Sequence, residues 1–485
     1  MTENNTPKKE KKNPKSSNVH SWSSTVKPST VHRKPSHSSS KIIIVGAGLC
    51  GTLLAVRLAQ RGFKVALYEK RWDMRRKEMD AGRSINLALS ARGLMALDRA
   101  NLKEKVLEGC IPMRGRMIHP LGGDSFLSNY SGRSEDYINS VSRPGLNMIL
   151  LDEAEKHENI EIKFDTPVLD VDLKEGEIKY KDVKGNIRYD EGDVVIGTDG
   201  AGSIIRRSMM RYTSELLFNY SQDFLRHGYK ELSILPDENG GWKIEKEALH
   251  IWPNGHFMII ALPNLDGSFT LTMFHPYEGE AGFNTLNTKE KLKSFFEKYY
   301  PTLLPYIPHL YEEYFENPVG NLGTIKCYPW QGFGKGLIMG DASHSIVPFY
   351  GQGMNASLED VRVFDDILEE HGPDWKKVFT LFQDARKENT DAIADLAIDN
   401  FHEMRDHVDD VAFMRKRKIE MQLEQQFPDY YSKYSLVTFK PKLPYYEAMV
   451  RGRKQDELLV NMCKKDDFES TPLKEFYEKA MAIEL

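Results

Sequence analysis

The sequence has few cysteines, and the four among its 485 residues show no paired or metal-like spacing: Cys50, Cys110, Cys327 and Cys463. This argues against a disulfide framework and a structural zinc site, and it fits a reducing compartment. Long apolar runs are also missing, since no stretch approaches the ~20 apolar residues of a membrane-spanning helix. We therefore expect a soluble, cytoplasmic protein without a transmembrane anchor, with mitochondrial association as the alternative.

Residues 1–40 lack large apolar side chains almost completely, while they contain ten serines and carry a net charge of +6. Because such a segment cannot bury a core, we predict a disordered, basic, Ser-rich tail. Without an apolar stretch it does not fit a signal peptide, and its few apolar residues share no helical face, as a mitochondrial presequence would require. We assign this tail no function and expect no nucleic-acid partner.

A dinucleotide-binding pattern begins after this tail. The β-branched run Ile42–Val45 predicts a strand buried on both faces. Gly46, Gly48 and Gly51 follow as G-x-G-x-x-G. The first glycine permits the tight turn, the second lets a pyrophosphate approach the backbone, and the third lets the next helix pack closely against the strand.

An acid follows the second strand of this unit. Val65–Tyr68 is apolar, and Glu69 stands at its carboxyl end. A carboxylate there accepts hydrogen bonds from a ribose 2′-OH and repels a 2′-phosphate. The unit therefore favours an unphosphorylated adenine dinucleotide, either FAD or NAD.

Two more turns carry nucleotide-binding character. Asp199-Gly200 follows a buried strand, although an ordinary Asp-Gly turn explains it equally well. Gly340-Asp341 ends another strand, and Asp341 can reach a ribitol hydroxyl. The Gly-rich loop Gly351–Asn355 then starts a helix, whose N–H groups near Met354 and Asn355 can stabilise negative charge on a flavin.

Between these motifs the sequence pattern changes from one that predicts alternating strands and helices to one that predicts antiparallel strands. The end of the chain is predicted to be mostly helical. We predict an α/β fold in which a Rossmann-like FAD-binding domain spans residues 41–211 and 326–371. An antiparallel β-sheet substrate domain is inserted at 212–325, and a helical domain follows at 372–485.

The order and separation of the three motifs resemble class A flavoprotein aromatic hydroxylases. Within that class, five segments are similar to the kynurenine 3-monooxygenase family: Gly82–Gly93, Gly109–Pro120, Met339–Asp365, Asp399–Val408 and Tyr434–Phe439. The last two are the most specific, and the resemblance covers about 41–439. It implies FAD- and NADPH-dependent hydroxylation of L-kynurenine at ring C3 to 3-hydroxykynurenine, through a flavin C4a-hydroperoxide, in tryptophan degradation and de novo NAD biosynthesis.

The resemblance also implies roles for individual residues. Those implied for substrate are Arg116, Tyr130, Asn400, Glu403, Met404 and Tyr434. Those implied for noncovalent FAD, besides Gly46, Gly48 and Gly51, are Cys50, Glu69, Arg71, Ala88, Arg143, Val168, Asp341, Met354 and Asn355. NADPH is implied as a transient co-substrate, and neither a metal nor a covalent nucleophile is required.

Chemistry supports Arg116 independently, because a guanidinium grips a carboxylate with two parallel hydrogen bonds. Its alternative is a surface arginine on a strand, and Tyr130 and Tyr434 have the alternative of core aromatic residues. We interpret His344 as structural, since a substrate aniline activates its own ring. The contribution of Tyr350 and the oligomeric state stay open.

Two other functions stay open at this point. One is a class A hydroxylase for another anionic aromatic compound. The other is a non-catalytic FAD-binding scaffold or redox sensor.

Overall fold

A computed structural model describes residues 40–76, 86–406, 411–465 and 468–483, without the side chains of 404–406. The predicted disorder of the tail concerns residues that, apart from Ser40, lie outside this described part.

Strands and helices are numbered in chain order. The strands are β1 (Lys41–Val45), β2 (Lys64–Tyr68), β3 (Asn86–Leu89), β4 (Cys110–Met113), β5 (Gly115–Ile118), β6 (Phe126–Asn129), β7 (Ile138–Ser142), β8 (Ile160–Lys163), β9 (Val168–Asp172), β10 (Glu177–Lys181), β11 (Ile187–Glu191), β12 (Val194–Gly197), β13 (Asn219–Ile234), β14 (Ala248–Asn254), β15 (Phe257–Pro263), β16 (Phe269–Pro276), β17 (Gly320–Tyr328), β18 (Gln331–Gly332) and β19 (Gly336–Ile338). The helices are α1 (Leu49–Gln60), α2 (Ala91–Arg99), α3 (Lys103–Leu107), α4 (Arg143–Ala154), α5 (Ile204–Met210), α6 (Thr213–Leu216), α7 (Lys289–Tyr299), α8 (Leu310–Glu316), α9 (Asp341–His344), α10 (Gly353–His371), α11 (Trp375–Asp406), α12 (Val411–Gln426), α13 (Lys433–Phe439), α14 (Tyr445–Cys463) and α15 (Leu473–Met481).

The first sheet has six strands in the order β18-β19-β12-β1-β2-β8. β1 pairs in parallel with both β12 and β2, while β18 at the edge is antiparallel. Ile42, Ile43 and Ile44 are fully buried in β1, as predicted for a strand that is buried on both faces. The predicted α/β class with a Rossmann-like core is confirmed.

The second large sheet has seven strands in the order β17-β13-β16-β15-β14-β5-β6. Its strands are antiparallel except for β14 and β5, which pair in parallel and place Leu249 beside Arg116. β5 and β6 come from the segment predicted for the FAD-binding domain. Two separate segments of the chain therefore form this sheet. The domain boundaries predicted from the sequence stay a prediction.

Two antiparallel three-stranded sheets complete the β-structure that is described here, in the orders β3-β7-β4 and β11-β10-β9. The C-terminal segment forms helices α11 to α15, and α14 packs against both α11 and α12. None of the helices in the described ranges is long and apolar enough to cross a membrane.

The C-terminal helices enclose a buried charged cluster. Glu420 is 3% exposed, with Lys416 at 3.5 Å, and Lys416 also lies 2.8 Å from Asp456. Burial raises the pKa of Glu420 to about 7, although the Lys416 charge opposes this shift. The folded protein therefore retains a proton that the unfolded chain releases at lower pH, so the carboxyl group weakens folding increasingly between about pH 4.5 and pH 7.

We predict that Glu420→Gln stabilises the protein at pH 8 by about 1–3 kcal/mol but changes little at pH 5, where the native carboxyl group is already protonated. Lys416 keeps its Asp456 partner in this variant. Denaturant unfolding at both pH values measures the effect. An equal change at pH 5 and pH 8 would contradict the titration of Glu420.

Candidate functional site

A cavity of about 780 Å³ lies between the carboxyl ends of β1, β2 and β12 and one face of the seven-stranded sheet. This is where open parallel sheets bind ligands, and the volume falls in the range of small-molecule sites. The predicted site residues that line it are Gly46, Gly48, Cys50, Glu69, Arg71, Ala88, Arg116, Tyr130, Arg143, Val168, Asp341, Met354 and Tyr434.

The glycine motif shapes one end of this cavity. Gly46 has a φ of +103°, and a Cβ atom there would lie 2.7 Å from the carbonyl oxygen of Thr198. At Gly51 a Cβ atom would lie 2.1 Å from the carbonyl oxygen of Gly46. Helix α1 can therefore pack this closely against β1 only because Gly51 has no side chain. A Cβ atom at Gly48 would meet no described atom within 4 Å, which leaves room for a ligand phosphate.

Hydrogen bonds fix the side chain of Glu69 at the end of β2. Its carboxylate accepts hydrogen bonds from the backbone N–H groups of Ala47 at 2.8 Å and Arg71 at 2.9 Å, and from the Arg71 side chain at 2.9 Å. Burial alone would raise the pKa of Glu69, but the hydrogen bonds and charge of Arg71 outweigh it and hold the pKa below its usual value. The group is therefore an anionic acceptor at neutral pH.

The late elements meet the cavity at the starts of α9 and α10. Asp341 begins α9 with an exposed side chain, and Met354 lines the cavity in the first turn of α10. Asn355 is fully buried instead, and its amide accepts from Ser90 N–H at 2.9 Å and donates to Ala88 O at 2.8 Å. Its side chain thus ties β3 to the start of α10.

The Asp199 turn also lies at the cavity. Asp199 and Gly200 both line it, and one carboxylate oxygen of Asp199 accepts from Ile204 N–H at 2.6 Å. The other oxygen is buried without a hydrogen-bond partner among the described residues. Burial raises the pKa of this carboxyl group, against the hydrogen bonds that it accepts.

A buried network of charges supports the loop before α10. The His344 side chain contacts Asp360 at 2.5 Å, and Asp360 also accepts from Arg386 at 2.7 Å and from Gly340 N–H at 2.9 Å. Glu359 joins Arg386 at 2.8 Å. His344 is committed to Asp360 and does not line the cavity, as its structural interpretation requires.

At the other end of the cavity an arginine lies beside two tyrosine rings, and a third tyrosine stacks on one of them. The guanidinium of Arg116 lies 4.8 Å from the ring centre of Tyr434 and 5.6 Å from that of Tyr130. The Tyr434 ring stacks on Tyr130 at 5.5 Å and on Tyr350 at 5.6 Å. No acid of the described ranges pairs with Arg116, which leaves its charge available to an anionic ligand.

Two of these tyrosines have unused hydroxyl groups. Tyr130 and Tyr350 are 1% and 5% exposed, and neither hydroxyl has a hydrogen-bond partner among the described residues. Burial raises the pKa of Tyr130 further than the charge of Arg116 lowers it, so the hydroxyl stays protonated. Both tyrosines therefore hold a proton that they can donate to a ligand oxygen.

Apolar side chains form the wall between the two ends. They are Leu249, Met258, Ile260, Leu262, Phe274, Ile346, Val347, Pro348 and Phe349. Such a wall suits a flat aromatic ring and keeps water from it.

Two residues predicted for the substrate, Asn400 and Glu403, are not among the described residues that line the cavity. Asn400 donates to the carbonyl oxygen of Phe349 at 2.6 Å, and Glu403 forms an ion pair with Lys433, next to Tyr434. Both therefore support the wall from behind. The side chain of Met404 lies outside the described part, and the contact predicted for each of the three stays a prediction.

The structure adds residues that motif reasoning left without a role. Tyr350 lies in the loop before α10, and Asn86 begins β3 within the segment Gly82–Gly93; both line the cavity. No local pattern distinguishes them from packing residues. Their shared signal is a buried polar atom without a partner, which only three-dimensional structure reveals.

Comparison with known proteins shows the family to which the chain is similar. Residues 39–215 match the model of a family described as an FAD binding domain. The chain is 44% identical over 423 residues to a kynurenine 3-monooxygenase of Myxococcus xanthus, covering 87% of this chain and 90% of the relative. A protein of the same name from Dictyostelium discoideum is 42% identical over 439 residues, covering 88% and 94%.

Solved structures share the fold at low sequence identity. One is 2-methyl-3-hydroxypyridine-5-carboxylic acid oxygenase in a tetrameric form, with a TM-score of 0.61 and 19% identity over 76% of this chain and 94% of that one. Another is p-nitrophenol 4-monooxygenase from Pseudomonas putida, with a TM-score of 0.63 and 14% identity over 85% and 98%.

Proposed function

The chain belongs to the kynurenine 3-monooxygenase family, and from this premise we propose that its cavity holds FAD at one end and L-kynurenine at the other. It is an FAD-dependent monooxygenase that hydroxylates L-kynurenine at ring C3 with NADPH and O₂. One observation carries the assignment of the cavity: the glycine motif and Arg116 border the same space, joined by an apolar wall.

The residues at the glycine end fit FAD. Gly48 would leave room for the pyrophosphate, Glu69 would accept from the adenosine ribose, and Asp341 would bind the ribitol chain. The first N–H groups of α10, near Met354, oppose negative charge on the flavin ring. When bound, FAD accepts electrons from NADPH and activates O₂ for transfer of one oxygen atom to an electron-rich ring.

The residues at the arginine end fit the amino-acid part of kynurenine. Arg116 takes the carboxylate in a forked pair of hydrogen bonds, and the protonated hydroxyl of Tyr130 donates to the same group. Tyr434 stacks beside both and closes this end of the cavity. Asn400 and Glu403 hold the elements around it, through the Phe349 carbonyl and Lys433.

The apolar loop Ile346–Phe349 lies between the two ends. With FAD and substrate bound, this loop would exclude water from the space between them, which favours hydroxylation over release of H₂O₂. The protein thus binds and orients the substrate and excludes water, while the cofactor supplies the redox chemistry.

We expect L-kynurenine to stimulate NADPH oxidation by the FAD-loaded protein, with 3-hydroxykynurenine appearing in the same amount. A panel of anionic aromatics, such as 4-hydroxybenzoate, anthranilate and 3-hydroxyanthranilate, serves as the control. Mass spectrometry and NADPH absorbance measure both quantities. Stronger turnover of another panel member would reassign the substrate, and flavin binding without any NADPH oxidation would indicate a non-catalytic scaffold.

A further inference from the structure

Asn86, the first residue of β3, lines the cavity and is only 7% exposed. Its amide nitrogen Nδ2 lies within hydrogen-bond distance of three acceptors, which share its two hydrogens: Asn264 Oδ1 at 2.6 Å, Pro263 O at 2.8 Å and Ser140 Oγ at 3.2 Å. The carbonyl of Pro263 can only accept, so the amide nitrogen must face it. The orientation of the Asn86 amide is therefore settled by its partners.

The amide oxygen of Asn86 has no partner in this arrangement among the described residues. Nearly all buried polar atoms in folded proteins are paired, because an unpaired one is costly. An acceptor that is buried at the edge of a ligand cavity, held by its own nitrogen and still unpaired, points to a hydrogen-bond donor on the ligand.

The position of Asn86 indicates which part of the ligand carries that donor. Alternate residues of a strand share a face, so Asn86 lies about 7 Å along β3 from Ala88. Ala88 O accepts a hydrogen bond from the Asn355 amide at the start of α10, the helix that would face the flavin ring under the proposed function. On its other side Asn86 bonds Pro263 at the end of β15, whose Leu262 belongs to the apolar wall.

Asn86 therefore stands where the flavin end of the cavity meets the wall for the substrate ring. We propose, building on the proposed function, that Asn86 Oδ1 accepts a hydrogen bond from the ring amine of kynurenine. Arg116 holds the carboxylate, but the ring can still rotate about its bond to the ketone. A fixed amine stops that rotation and turns the ortho carbon C3, rather than the opposite edge, toward the flavin. Asn86 is then the residue that determines the position of hydroxylation.

A ligand that lacks only the donor tests this assignment. 3-Benzoylalanine is kynurenine without the ring amine, and we expect the FAD-loaded wild-type protein to bind it roughly 5- to 20-fold more weakly than kynurenine. In Asn86→Ala the two affinities should become nearly equal, because the acceptor is gone. Flavin absorbance or fluorescence titration gives both dissociation constants.

Asn264→Ala is the matched control. It removes one acceptor from the Asn86 nitrogen and disturbs the same corner, but it leaves Oδ1 in place, so the ratio between the two ligands should persist. A structural disturbance alone would weaken both ligands equally and leave the ratio of wild type. Asn86→Ala should also hydroxylate kynurenine at more than one ring carbon.

Each outcome of these titrations supports or overturns the assignment of Asn86. A ratio that Asn86→Ala leaves unchanged would overturn the assignment, and so would equal binding of both ligands by wild type, a result that does not depend on any variant folding. Loss of FAD affinity with an unchanged ratio would assign Oδ1 to a flavin N–H group instead. Failure of wild type to hydroxylate kynurenine would refute the proposed function itself. Normal turnover by wild type therefore shows that a failed ratio test concerns Asn86 alone.

Discussion

Replacing Arg116 with alanine should weaken kynurenine binding roughly 10- to 150-fold, which corresponds to about 1.5–3 kcal/mol for a lost charged hydrogen bond. Its guanidinium lies against Tyr434 and Tyr130 at the end of the cavity opposite the glycine motif. FAD content should therefore stay normal. Coupling should fall, with more H₂O₂ per NADPH, because a loose carboxylate lets the ring move away from the flavin.

Two variants frame this result. Arg116→Lys should restore binding only in part, since an ammonium group cannot reproduce the planar fork. Arg114→Ala, two residues away, should behave like wild type, because Arg114 is exposed and pairs with Glu247. Kynurenine affinity, flavin occupancy and peroxide yield are the measurements. If Arg116→Ala binds kynurenine normally or loses FAD instead, Arg116 does not hold the carboxylate.

Adding one methyl group at Gly51 should damage the protein more than adding it at Gly48. At Gly51 the new Cβ would lie 2.1 Å from the Gly46 carbonyl oxygen and 2.3 Å from Thr198 Oγ1, so α1 must move away from β1. We expect Gly51→Ala to lower the unfolding free energy of the apoprotein by about 1–3 kcal/mol and to abolish tight FAD binding.

Gly48→Ala should leave apoprotein stability near that of wild type, because its Cβ meets no described atom within 4 Å. The methyl group occupies the space of the pyrophosphate, so FAD affinity should fall at least about tenfold, or ~1.4 kcal/mol. Denaturant unfolding without FAD and flavin titration separate the two effects. Equal FAD affinity in Gly48→Ala and wild type would contradict the placement of the pyrophosphate.

The flavin end of the cavity was predictable because its signals are local. The glycine motif, Glu69 after β2 and Asp341 after β19 each follow a strand whose apolar run is visible in the sequence. The carboxyl ends of parallel strands gather at one edge of a sheet, so recognising the strands was enough to bring these residues together.

The substrate end depends on long-range pairing that leaves no local pattern. Arg116 reaches the cavity because β5 pairs with β14, more than a hundred residues later, and Tyr434 arrives from the C-terminal helices. The long strand β13 was not predicted either. Its first half is mostly polar and exposed, so it shows no apolar run or alternation. Here the resemblance to a family supplied what periodicity could not.

The most direct measurement follows the oxygen atom. The FAD-loaded protein is incubated with L-kynurenine, NADPH and ¹⁸O₂, and the product is identified by mass spectrometry and NMR. We predict 3-hydroxykynurenine with one ¹⁸O atom on ring C3 for nearly every NADPH oxidised. Unchanged kynurenine with H₂O₂ as the sole product, or a hydroxyl group derived from water, would contradict the proposed function.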